Sequence, residues 1–226
     1  MTSVAAGRVS VARSQLNVTY GLRHPGTSEW YLADPTWVAA VGESPTVALV
    51  EIVVLESHEV GVSSRAELGQ LWDSAFVDRF STHDAEHAFG GVHVLVTVPE
   101  LLVGHASAVP RQLTFGDGPW RTVAYVEAVA IAPSHQGKGL GRTVMTRLQA
   151  EIDRRWPVAM LSTGRATGFY ERLGWEPWQG ASVTRTSLGD VFDGEQGGLM
   201  IRRPDESTVP DLTVIVTCLD RAGDAW

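Results

Sequence analysis

The sequence predicts an α/β protein, a mixed sheet with helices packed on it, and three observations carry that reading. Near-continuous, β-branched apolar runs alternate along the chain with stretches whose apolar residues recur every three or four positions, the periods of strand and helix respectively. At the centre, RTVAYVEAVAIAPSHQGKGLGR (121–142) reads as a strand running into a glycine-rich turn and then into a helix. The chain has 226 residues and 44% apolar content, enough for one domain with additions or two small ones.

Taken in order, residues 1–46 show no sustained period and lack the apolar h-region of a secretory signal, so they stand as an N-terminal extension of unread role. The domain proper is expected over 47–226. TVALVEIVVL (46–55) is its first strand. Ser64 and Glu67 have capping-box spacing ahead of Leu68, Leu71, Trp72, Ala75 and Phe76, an amphipathic helix. A short helix is predicted over Thr82 to Phe89, ended by Gly90 and Gly91. Val92 to Val98 and Leu101 to Thr114 form a hairpin across Pro99 and Glu100.

The central strand, Thr122 to Ile131, is stopped by Pro133, which has no N–H to give a ladder. Val144, Met145, Leu148, Ile152 and Trp156 mark one face of the following helix. Val158 to Leu161 is a short strand, Ala166 to Leu173 a helix closed by Gly174, and Ser182 to Ser187, Gly198 to Arg203 and Leu212 to Cys218 are three trailing strands. The order is β-α-α-β-β-β-α-β-α-β with strands after it.

Composition excludes several classes. No run approaches eighteen apolar residues, so no membrane span is expected. A net charge of -8 argues against a nucleic-acid surface and for a cationic or neutral partner. The acids concentrate in residues 186–226, eight against three arginines. The single cysteine, Cys218, fits a reducing, cytoplasmic setting and reads as a buried structural thiol.

The turn Ser134 to Gly141 carries the clearest chemistry. Gln136, Gly137, Lys138, Gly139, Leu140 and Gly141 present successive backbone N–H groups just before a helix begins, which makes an anion cradle. It is not a Walker loop: Lys138, the only lysine of the chain, is followed by Gly139 rather than a hydroxyl residue. Nor is it a dinucleotide loop, since the spacing is GxGxG and Leu161 and Ser162 stand where an acid is needed. Upstream, Glu127 places a carboxylate inside an apolar strand. Such a group either faces water or a partner and serves as a base with raised pKa, or is satisfied by a neighbouring arginine.

QGKGLG (136–141) resembles the Q/R-x-x-G-x-G/A signature of the GNAT acyltransferases. That resemblance implies the GNAT fold, with a mostly antiparallel central sheet, and acetyl-CoA as co-substrate held by Gln136 to Arg142. It further implies that the backbone of Val129, Ala130 and Ile131 pairs with the pantetheine arm, that Glu127 is the base, and that Tyr170 in RATGFYERLGW assists the departing thiolate.

YVEAVAIAP, FYERLGWEPWQG and the terminal RAGDAW together resemble the aminoglycoside 2'-N-acetyltransferases, over about Glu51 to Trp226. This implies direct acetyl transfer to the 2'-amine of an aminoglycoside, no metal, and a homodimer. The α-carboxylate of Trp226 is implied to fold into the site as anchor or proton acceptor; without the resemblance a bare tail reads as frayed. By the same likeness Asp84, Glu195 and Ser162 join Glu127 and Trp226 around the acceptor, and Ala128 stands where a glycine is usual. At one acidic position of the family this chain has Arg79, with Asp78 only adjacent. The rival expectations are the same chemistry on another amino sugar or polyamine, and an acetyl-CoA-binding regulatory module without catalysis.

Overall fold

The computed structural model describes residues 17–23, 30–33, 48–77, 79–99, 101–193, 198–209 and 211–226. The strands are β1 (Asn17–Arg23), β2 (Trp30–Ala33), β3 (Ala48–Glu56), β4 (Val92–Val98), β5 (Leu101–Phe115), β6 (Arg121–Ile131), β7 (Ala159–Ser162), β8 (Glu176–Pro177), β9 (Ser182–Thr186), β10 (Gly189–Phe192), β11 (Leu199–Arg202) and β12 (Val216–Leu219). The helices are α1 (Val62–Phe76), α2 (Thr82–His87), α3 (Leu140–Arg155) and α4 (Thr167–Glu171). No helix among the described residues is long and apolar enough to cross a membrane.

The chain divides into two compact units, and β5, β6 and α3 each pass from one to the other. The first comprises the described residues of Met1–Phe80, Val92–Ala106 and Val129–Val144; the second comprises those of Ser81–Gly91, Ser107–Ala128 and Met145–Trp226.

In the first unit the strand order is β2-β1-β3-β4-β5-β6. β1 pairs antiparallel with both β2 and β3, so the segment in which the sequence shows no period contributes a hairpin to the sheet. β3 and β4 pair with Ile52 opposite Val96 and Val54 opposite Val94. Leu68, Leu71 and Trp72 of α1 are buried, as the helical spacing requires. The expected Ser64–Glu67 capping box is not formed. The helix starts a turn earlier, with Gly61 as N-cap, no side-chain cap and the Gly61 carbonyl accepting from the Arg65 N–H, so Ser64 lies within the first turn and is buried.

In the second unit β5, β6, β7, β11 and β8 follow one another, with β12 beside β5, β9 beside β12 and β10 beside β9. β6–β7 and β12–β9 are parallel and β11 is antiparallel to β7, so the sheet is mixed as expected. Val109, Leu113, Val123, Tyr125, Met160, Ile201, Cys218 and the terminal Trp226 share one core. The last strand begins at Val216, later than the apolar run from Leu212 suggests, because the Asp211 side chain takes the Thr213 N–H and hydroxyl in a tight turn. A capping box does occur in this unit, on α2: the Ser81 hydroxyl accepts from the Asp84 N–H and the Asp84 carboxylate accepts from the Ser81 N–H.

Candidate active site

The end of β6 and the turn after it belong to the first unit. Pro133 ends the strand and opens a 3-10 turn, Pro133–His135. Gly137 and Gly139 both have positive φ, 72° and 85°, so the backbone alternates hand and gathers its N–H groups into a nest just before α3 starts at Leu140. A Cβ on Gly137 would meet nothing within 4 Å, so backbone conformation rather than crowding calls for glycine there. The turn is braced by its own side chains. Gln136 Nε2 donates to the Ile131 carbonyl at 3.0 Å, and Lys138 Nζ to the Ser134 carbonyl at 2.8 Å. Gln136, Gly137, Lys138 and Arg142 are exposed while Leu140 is buried and anchors the turn. These residues fit a pyrophosphate: an N–H-lined concavity at the head of a 16-residue helix, with a cation beside it. Of the three residues expected to pair with the pantetheine arm, Ala130 is buried and Val129 and Ile131 are half-buried. The Ile131 carbonyl already accepts from Gln136.

Within the second unit, Glu127 on β6 forms an ion pair with Arg221, Nη1 to Oε1 2.8 Å, and both side chains are largely buried. The neighbouring-arginine reading of this glutamate is therefore realised. Burial still holds its carboxyl above the usual carboxylate range, with Asp84 adding to the rise, although Arg221 and Arg111 oppose it. Ala128, next in the strand, has φ +52°, a left-handed residue where an extended one is expected, so the strand breaks its alternation between Glu127 and Val129. Beneath lies Tyr125, 1% exposed, whose hydroxyl has no hydrogen-bond partner among the described residues. The Arg111 guanidinium sits over its ring, 4.8 Å from the centroid.

The tail is not frayed. Trp226 is 5% exposed and belongs to the core. Arg111 donates from Nη1 to the Ala225 carbonyl at 2.7 Å and from Nη2 to the Leu219 carbonyl at 3.3 Å, closing the segment at both ends. Inside it, Arg221 Nε donates to the Asp224 carbonyl, 2.8 Å. The His87 ring on α2 bonds the Ala222 carbonyl, also at 2.8 Å. Gly223 (φ 81°) passes so close to α2 that a Cβ would come within 2.6 Å of the His83 Cβ. Burial and the nearby Arg221 hold the His87 imidazole below its ordinary range, so its neutral form is favoured there. Cys218 is fully buried and its thiol donates to the Ala225 carbonyl, as a structural thiol does.

Of the other expected site residues, Asp84 sits on α2, half-buried, with one carboxylate oxygen engaged in the capping box. Its charge acts on both Glu127 and His87. Tyr170 on α4 is buried, and burial pushes its hydroxyl up to about 12, so it keeps its proton at neutral pH. Phe169 and Trp175 meet its ring edge-on, with centroids 5.0 and 6.2 Å away. Ser162 ends β7 with an exposed side chain. Glu195 and Asp78 lie outside the described residues. Arg79 belongs to the first unit, where its Nε donates to the Phe76 carbonyl at the end of α1.

Sequence reasoning missed Arg111, Arg221, Tyr125 and His87. Two of them stood in quoted motifs, Tyr125 as the first residue of YVEAVAIAP and Arg221 as the first of RAGDAW, and Arg111 and His87 carried no signal.

A nest of N–H groups at a helix head after a strand defines an anion-binding α/β fold. Solved structures agree: Escherichia coli ElaA matches with TM-score 0.51 and 20% identity over 68% of this chain and 99% of that one. Escherichia coli YhbS, a GNAT family N-acetyltransferase solved in complex with CoA, matches with TM-score 0.54 and 15% identity over 76% and 92%. The family model of the acetyltransferase (GNAT) domain matches residues 64–178. An aminoglycoside 2'-N-acetyltransferase of Mycolicibacterium fortuitum is 35% identical over 186 residues, 76% of this chain and 90% of the relative. The chain belongs to the GNAT acetyltransferases, as its motifs suggest.

Proposed function

We propose that the protein transfers acetyl from acetyl-CoA directly to a primary amine, the 2'-amine of an aminoglycoside, in a ternary complex. The observation that carries this reading is the buried Glu127 carboxylate, bridged through Arg221 to a tail whose last residue is itself buried. Such a carboxylate suits a cationic acceptor, and the M. fortuitum relative, named for aminoglycoside 2'-N-acetylation, supplies the acceptor class. The net charge of -8 favours approach of a polycation.

Bound acetyl-CoA supplies the acetyl group as an activated thioester. Gln136 to Arg142 would hold its pyrophosphate, and the backbone of Val129 to Ile131 would pair with its pantetheine arm. Glu127, its pKa raised by burial, takes the proton from the acceptor ammonium, so that the amine can attack. Tyr170, protonated at neutral pH, donates a hydrogen bond where charge develops on sulfur. Asp84, Ser162, Glu195 and the Trp226 carboxylate pair with the remaining ammonium and hydroxyl groups of the acceptor.

Coenzyme A release on adding kanamycin or tobramycin tests the proposal, with product mass and NMR fixing the acetylated nitrogen. Release with other amines alone moves the acceptor to another amino sugar or polyamine. Acetyl-CoA binding without turnover on any amine removes the catalytic reading.

A further inference from the structure

Each of the two guanidinium groups of the tail region makes two hydrogen bonds among the described residues, and the pairs of acceptors differ. Arg111 donates to two main-chain carbonyls, those of Leu219 and Ala225. Arg221 is divided: Nε holds the Asp224 carbonyl and Nη1 holds the Glu127 carboxylate, each at 2.8 Å. Its side chain is 18% exposed and that of Glu127 14%, so this bridge is shielded from water. Ninety-four residues separate the two partners. One planar group thus fixes the carboxylate and the tail in a single geometry, which the rigid fork of arginine permits and a lysine ammonium does not.

We propose that Arg221 is a positioning residue of the acceptor site, setting the Glu127 carboxylate and the last residues of the chain as one unit. This rests on Glu127 as the base. Two consequences follow. Arg221 favours the ionised form of Glu127 against its burial, and it ties the tail to β6. The other charged or titratable groups acting on Glu127 are Arg111 on β5, Asp84 on α2 and Tyr125 on its own strand. Arg111 favours the carboxylate, whereas Asp84 disfavours it. Neither bridges it to the tail.

The experiment compares Arg221→Gln and Arg221→Lys with the parent in kcat/KM against pH and in the KM of each substrate. In Arg221→Gln the acidic limb is expected to rise by roughly one pH unit, as for loss of one adjacent opposite charge. In Arg221→Lys the limb returns to the parental position, while the acceptor KM stays raised roughly tenfold and the acetyl-CoA KM does not change, about one lost charged contact. An unmoved limb in Arg221→Gln overturns the proposal. Should that variant not fold, Arg221→Lys decides alone, and a parental acceptor KM in it overturns the proposal. If no amine is acetylated, the transfer reading fails. Carbon-13 NMR titration of the Glu127 carboxyl in parent and Arg221→Gln then still decides Arg221: an upward shift supports the proposal and coincident curves reject it.

Discussion

The indole N–H of Trp72 donates to Nδ1 of His105 across 3.3 Å in a fully buried site. Because indole nitrogen can only donate, a neutral His105 carries its proton on Nε2, which lies 3.0 Å from His93 Nδ1. His93 must then carry its proton on Nε2, which lies 2.8 Å from Ser57 Oγ. The distances imitate a nucleophile, base and orienter, but the tautomers run the wrong way: His93 gives a proton to Ser57 and cannot take one. The array is structural, and burial favours the neutral form of His93.

Acid therefore destabilises the protein through this array. Burial and the nearby Arg65 lower His93 to about 4. Between that value and the ordinary value of 6.5 the unfolded chain binds a proton the folded one refuses, so stability falls as pH drops through this window. The expected loss from His93 is about 3 kcal/mol by pH 4 relative to pH 7. Denaturant unfolding at several pH values measures it. His93→Gln should flatten the dependence over pH 4–6.5, and an unchanged slope would assign the acid sensitivity elsewhere.

Removing Trp226 should separate two roles of the tail. Loss of its buried ring costs about 3 kcal/mol, and the acceptor role proposed for Trp226 predicts an acceptor KM raised roughly tenfold or more. The acetyl-CoA KM should hardly move. Trp226→Ala, which keeps a terminal carboxylate at that position, should show the stability loss with a smaller KM change. Equal KM changes for both substrates in the deletion variant would contradict the role given to the carboxylate.

Tyr170→Phe is expected to lower kcat roughly ten- to a thousandfold, the scale of one acid or electrostatic group. The melting temperature should change little, because the ring and its contacts with Phe169 and Trp175 remain. A parental kcat would return Tyr170 to the core.

What the sequence disclosed follows from the range of the interactions. The central strand, the glycine turn and the helix after it are local, since β-branched density, Pro133 and the glycines at 137 and 139 each act on their own neighbours. The Ser64–Glu67 box had the right spacing in the wrong turn, because helix starts are decided by the chain before them, here at Gly61. The hairpin of β1 and β2 left no period. The fastening of the tail was invisible for a different reason: Arg111 meets Ala225 from 114 residues away, and no pattern in either segment announces the other.

The last prediction turns on Ala128, whose φ of +52° lies in the middle of a strand. An alanine there is held at a cost of about 1–2 kcal/mol, since its Cβ crowds the following carbonyl. Ordinary strand preference ranks valine above alanine above glycine. The left-handed backbone reverses that order: glycine gains relief from the crowding but loses a little to chain entropy, and a β-branched residue is strained most. Ala128→Gly should therefore be neutral or up to about 1 kcal/mol more stable than the parent, and Ala128→Val about 2 kcal/mol or more less stable. Urea unfolding of the three proteins measures the order. Valine at or above the parent would mean that residue 128 is extended in solution and that the break after Glu127, on which the aim of its carboxylate depends, is absent.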